Sequence, residues 1–170
     1  TITSFTVVCG SCVQMGGSLQ GAELSLTDNV TTLAGTGSSG YKDNSTGTLA
    51  KFKQPFDITT DGTNLYVADT KNFTIRQIVI STGAVTTLAG TAGSFGKIDN
   101  STGTGASFKN PKGITTDGTN LYVADMSNHV IRQIVISTEA AVTTLAGTAG
   151  SVGSTDGNGT AARFRSPYGI

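Results

Sequence analysis

Charge is scarce in this sequence. Eleven basic and eleven acidic residues cancel, and together they make up 13% of 170 residues, about half the share of a typical globular domain. The scarcity removes the basic footprint by which nucleic-acid binders attract phosphates, so no nucleic-acid partner is expected. Long apolar runs are missing too. None approaches the roughly 18 residues of a membrane helix, and no membrane span is expected. Cysteine is confined to Cys9 and Cys12, in the tetrapeptide CGSC. That spacing suits a redox pair, half a zinc site or a local disulfide, but there is no second CxxC, and Val13 stands where a c-type haem motif requires His. A structural or incidental pair, such as a Cys9–Cys12 disulfide, is the favoured reading. No intact signal peptide is visible, which is compatible with a mature form that has lost one.

What the sequence has in abundance is glycine, 23 residues of it, roughly twice the usual share. Together with frequent Thr this favours strands joined by tight turns. It also has repetition. ITTDGTNLYVAD occupies Ile58–Asp69 and again Ile114–Asp125, IRQIVIST occupies Ile75–Thr82 and Ile131–Thr138, and VTTLAGTAGS occupies Val85–Ser94 and Val142–Ser151. Pro55, Pro111 and Pro167 stand 56 residues apart, as do Phe52, Phe108 and Phe164. VTTLAGTG at Val30–Gly37 is the tail of an earlier copy, and SPYGI restarts what QPFDI and NPKGI began.

Within one module the spacing predicts four strands: 57–60, 65–68, 74–80 and 85–89. Asp61-Gly62 makes a tight hairpin turn between the first two, because glycine accepts left-handed backbone angles. Short polar side chains make the turn at 69–72, and 81–84 turns again. A four-stranded unit cannot bury both faces alone and must stack on copies of itself. Four strands per repeat mark the blades of a β-propeller. The predicted fold is therefore all-β, a propeller of four-stranded antiparallel blades forming a partial ring of about two complete blades with partial blades at either side. Residues 1–29 form an N-terminal tether or docking segment and 30–170 the blades: 30–54 the end of one blade and a connecting loop, 55–110 a blade, 111–166 a blade, and 167–170 the start of the next. The inter-blade loops close on Phe52, Phe108 and Phe164, which are expected to be buried between sheets.

The module resembles the NHL repeat, through the Pro-x-x-Ile opening strand (Pro55–Ile58, Pro111–Ile114), LYVAD, the turn residues Asn72 and Asn128, and IRQI. The long variant with VTTLAGTAG is similar to tandem repeats of secreted or surface-attached bacterial proteins. The resemblance covers about residues 30–170. It implies a propeller, usually of six blades, which at this period would take about 336 residues, with ligands bound on the face made by the inter-blade loops and the turns between second and third strands. The chain is expected to be a piece of a longer polypeptide, the alternative being that several chains complete one ring.

Candidate chemistry is sparse. Asp69 and Asp125, each followed seven residues later by Arg76 and Arg132, recur identically and read as scaffold, since an active site is normally built once. Asp43, Asp99 and Asp156 occupy equivalent places in the inter-blade loops. One carboxylate per loop is too few for calcium, and loop stabilisation is the favoured role. His129 has Phe73 as its counterpart, so a metal or acid–base duty is not expected, and no nucleophile with a partnered base is apparent. No metal or cofactor is predicted. Should the loop face bind a partner, it would present Tyr41, Asp43, Phe95, Asp99, Val152 and Asp156, and the partner would be a protein, a glycan or copies of this chain. The expected function is a non-enzymatic extracellular or cell-surface binding or assembly scaffold. The alternatives are a fragment of a propeller lyase or lactonase-like hydrolase with its catalytic residues in other blades, and a structural subunit of a filament or envelope assembly.

Overall fold

The computed structural model describes residues 30–136 and 139–170. The tether assigned to 1–29, with Cys9 and Cys12, lies outside the described residues. The rest is all-β, two four-stranded antiparallel sheets of a partial propeller. The first contains β1 (Pro55–Thr60), β2 (Asn64–Asp69), β3 (Thr74–Val79) and β4 (Val85–Ala89); the second contains β5 (Pro111–Thr116), β6 (Asn120–Asp125), β7 (Val130–Val135) and β8 (Val142–Ala146). Strands follow chain order across each sheet, so β1 and β5 are inner edges and β4 and β8 outer ones. The first strand begins at Pro55 rather than 57 and the second extends to Asp69, because Pro55 pairs with Asp69 across a bulge at Phe56. That bulge is invisible to a strict period of two. The turn after β2 is one turn of 3-10 helix, Thr70–Asn72, closed by Phe73 in the left-handed conformation, and Met126–Asn128 with His129 repeats it.

The β1–β2 and β5–β6 turns follow from DGTN. Gly62 and Gly118 take φ values of +90° and +89°. Asp61 Oδ1 accepts the Thr63 and Asn64 N–H groups at 2.8 and 2.7 Å, and Oδ2 accepts the Tyr66 hydroxyl at 2.7 Å. Asp117 does the same for Thr119, Asn120 and Tyr122. Burial raises the Asp61 pKa, but hydrogen bonds from Asn64, Tyr66 and Thr63 outweigh it and hold the carboxyl at about 2. Asp117 is likewise held below the ordinary range, by the Asn120 N–H first and the Thr119 N–H next. A carboxyl depressed in the folded state contributes stability above its unfolded value of about 3.9 and loses it as pH falls through the folded value. The advantage of the wild-type chain over Asp61→Asn/Asp117→Asn is therefore expected to be full at pH 7 and to shrink between about pH 4 and pH 2. Paired thermal melts across that range check it, and a difference independent of pH would contradict it.

The core lies between the sheets. Tyr66, Ala68, Ile75 and Ala89 on one face of the first sheet meet Ile114, Leu121, Val123 and Ile134 on the facing side of the second. Polar contacts fix the approach: the Thr70 hydroxyl donates to the Pro111 carbonyl at 2.7 Å, and the Ile114 N–H donates to Asp57 Oδ2 at 3.0 Å. Of the three loop phenylalanines expected to be buried, only Phe108 is fully so; Phe52 and Phe164 are half-buried. Phe108 alone sits where two complete described sheets enclose it.

Candidate functional site

Each inter-blade loop crosses the end of the sheet where β1 or β5 begins and returns along the outer strand. Asn44 bridges Val85 of β4 and Asn100 bridges Val142 of β8. A Gly at 103 is needed for the second crossing, since a Cβ there would lie 2.2 Å from the Leu88 carbonyl oxygen. The loop is then held by one arginine. Arg76 is completely buried, and its guanidinium donates to Asp69 Oδ2 at 2.9 Å, to the carbonyls of Lys51 and Lys42 at 3.1 and 3.0 Å, and to Asp43 Oδ1. Arg132 repeats the set with Asp125 (3.2 Å), Ser107 (3.0 Å), Ile98 (2.9 Å) and Asp99 (2.6 Å). Asn72 and Asn128 complete it, each joining the buried aspartate to a loop carbonyl, that of Gly40 or Gly96.

The cation sits against aromatic rings. Arg76 lies 4.9 Å from the Tyr41 ring centre and 5.0 Å from that of Phe52, and Arg132 lies 4.9 Å from that of Phe108. Burial pushes the Asp125 carboxyl up to about 6, against the pull of Asn128, the Lys109 N–H and Arg132; burial also raises Asp69. Such a buried cluster adds little net stability over an apolar core, yet removing one member leaves a charge stranded. Its evident work is positional. It fixes where the loop crosses the sheet.

Of the six loop residues proposed for binding, Asp43 and Asp99 are spent on this lock: besides the arginines they accept the backbone N–H groups of Thr87 and Thr144 at 3.1 and 2.9 Å. Tyr41 covers Arg76 and shares a hydrogen bond of 2.9 Å with the Thr87 hydroxyl. Val152 is about half exposed and bridges Phe164. Asp156 is exposed in the third loop. Phe95 is different. It is 62% exposed, packs edge to face on Phe73 with ring centres 5.7 Å apart, and lies 5.6 Å from the Lys109 ammonium. Sequence reasoning missed Phe73 and Lys109 as parts of this face. The available signal was blade-to-blade difference, since Phe73 is matched by His129 and Phe95 by Val152. His129 Nδ1 accepts the Ser166 N–H at 3.1 Å, a structural contact. Among the described residues there is no group of three or more metal-ligating side chains, and no helix long and apolar enough to cross a membrane.

No family model matches the chain. Individual proteins do. NHL repeat-containing protein 2 of Homo sapiens is 32% identical over 149 residues, an alignment spanning 81% of this chain and 20% of that protein. The chain thus spans about one fifth of the length of this curated relative. Among solved structures, an auxiliary nutrient binding protein from Bacteroides ovatus superposes with a TM-score of 0.59 at 22% identity, over 75% of this chain and 34% of that one. Another auxiliary nutrient binding protein, from Bacteroides thetaiotaomicron, gives 0.58 at 23% identity over 71% and 32%. At that identity the structures speak for the fold alone. Together with the 56-residue period, the Pro-x-x-Ile strand and the locked Asp–Asn–Arg turn, the sequence match establishes that the chain belongs to the NHL-repeat family.

Proposed function

We propose that this chain forms part of a non-enzymatic, extracellular or cell-surface propeller that acts as a binding scaffold, its partner a protein or a glycan held on the loop face. The observation that carries the reading is the exposed Phe95–Phe73–Lys109 group. It stands on a loop whose crossing is fixed by the buried Arg132 lock, and rigid, partly exposed aromatic side chains beside a cation are what recognition surfaces use. Loops displayed on a rigid frame are where folds of this kind carry recognition. The solved neighbours of this fold that are named as auxiliary nutrient binding proteins are in keeping with a binding role. Arg76, Arg132 and the aspartates Asp43, Asp69, Asp99 and Asp125 are committed to holding loops to sheets in both blades.

The reading is tested by displaying the full polypeptide to arrays of extracellular proteins and glycans. Capture of a partner that is lost with Phe95→Ala/Lys109→Ala, and retained with the far-end turn variant Thr119→Ala, is the expected result. Metal-dependent turnover of a small substrate, abolished by one substitution, would overturn it.

A further inference from the structure

The blades are identical along most of their strands, so positions at which they differ stand out. On the inner strand the residue after the proline changes each time: Pro55-Phe56, Pro111-Lys112, Pro167-Tyr168. These three side chains, from three successive repeats, meet. The Phe56 and Tyr168 ring centres lie 4.8 Å apart with the rings at 81°, and the Lys112 ammonium lies 3.9 Å from the first centre and 5.2 Å from the second. Beyond this position β1 and β5 differ only at Asp57, where Gly113 stands in the next blade, and a residue required only for packing one blade on the next has no reason to change in every copy.

The backbone aims them there. In β1 the bulge falls at Phe56, and in β5 the register shifts between Pro111 and Ile114, and bulges redirect a side chain out of the strand's alternation. The residue before each proline, Gln54, Asn110 and Ser166, has a left-handed φ of 49°, 58° and 50°. Non-glycine residues pay for that conformation, and such strain gathers at functional sites. The inner strands also present a free edge, because β1 and β5 each pair on one side only. In β1, which is largely exposed, the unpaired backbone groups are open to a ligand's hydroxyls apart from the Ile58 N–H, which Asp57 accepts; in β5 the Pro111 carbonyl and the Gly113 and Ile114 N–H groups are already bonded to Thr70, Tyr168 and Asp57.

We propose that Phe56, Lys112 and Tyr168 form a binding site for a carboxylate-bearing sugar, at the loop-face end of the inner edge. The proposal rests on the scaffold reading and names the ligand class for a site distinct from Phe95. Among the described residues the four ion pairs all belong to Arg76 and Arg132, which leaves the Lys112 ammonium held by two aromatic rings and without a carboxylate partner. It supplies the counter-charge. The ring faces, negative at the centre, meet the positive C–H face of a pyranose, and the strand edge meets its hydroxyls. A ligand needs all three features to use all three surfaces.

The test is calorimetric titration of the full polypeptide with a galacturonate trisaccharide, its neutral galactose counterpart and benzoate. Binding of the acidic sugar, at least tenfold weaker in Lys112→Gln and in Phe56→Leu/Tyr168→Leu, with the melting temperature of Lys112→Gln unchanged, is the expected result. Equal binding of the neutral sugar, stronger binding of benzoate, no binding, or indifference to Lys112→Gln would each overturn the site. The two readings fail differently. Sugar binding that is lost in Phe95→Ala/Lys109→Ala but kept in Lys112→Gln removes this site and leaves the scaffold reading intact, whereas hydrolysis or elimination of the bound sugar removes the scaffold reading itself.

Discussion

Replacing Arg132 by Met is expected to destabilise the chain by about 3–5 kcal/mol, the cost of breaking a buried ion pair from one side. The methionine fills much of the volume and keeps the contact with Phe108. What it cannot do is neutralise Asp125, which is fully buried and would retain only Asn128 and the Lys109 N–H. The Ser107 carbonyl would lose the guanidinium as donor, and the Ile98 carbonyl would keep only the Ser107 N–H. The sign with pH follows. Asp125 is already raised to about 6 by burial, and loss of the guanidinium raises it further, so the folded variant takes up a proton that the unfolded chain, with a carboxyl near 3.9, does not. The unfolded carboxyl is common to both chains, so the penalty should be largest at neutral pH and narrow as pH falls to the wild-type folded value of about 6, below which Asp125 is protonated in both folded forms. Denaturant titrations at a series of pH values measure it. Amide exchange provides the local readout, with the Gly96–Phe108 loop opening before the strands do; a variant with wild-type stability and wild-type loop protection would show that the lock does not hold the loop.

Most of the frame was legible because repetition acts as an internal comparison. One blade read alone gives short β-rich runs, whereas two letter-perfect copies with Pro and Phe at the same interval give the unit and its partner surface. The Asp69–Arg76 spacing of seven was correctly read as scaffold for the same reason. The loop acid was harder. Nothing local tells that Asp43 reaches Arg76 across 33 residues, because that contact depends on the loop folding back along β4. The bulge at Phe56 was hidden for a different cause: bulges are set by how an edge strand meets its neighbour, and the sequence around Pro55 shows only a proline at a strand start. The aromatic groupings were missed because they draw on separate repeats, Phe73 with Phe95 and Phe56 with Tyr168. Repeat analysis aligns such residues as equivalents or as exceptions, and their meeting appears only once blades are placed side by side.

The three loop phenylalanines separate what a blade needs from what its neighbour provides. Phe108→Ala is expected to cost about 3–5 kcal/mol, the range for deleting a fully buried aromatic side chain. The same change at Phe52 or Phe164, half-buried here, should cost distinctly less. The difference cannot come from sequence, because the three occupy one position of the repeat and close the same kind of loop. It comes from surroundings. Phe108 joins the cluster of Tyr66, Ile75 and Ala89 from the preceding sheet with Leu121, Val123 and Ile134 from its own, so its removal opens a cavity with walls from two sheets that cannot collapse independently. It also strips the ring from beneath Arg132, coupling the cavity to the lock. The coupling is measurable: Phe108→Ala combined with Arg132→Met should cost less than the sum of the two, since contacting residues are not additive. Equal costs at all three phenylalanines would mean that each loop is stabilised within its own repeat, and strict additivity at 108 and 132 would mean that the ring packs without supporting the arginine.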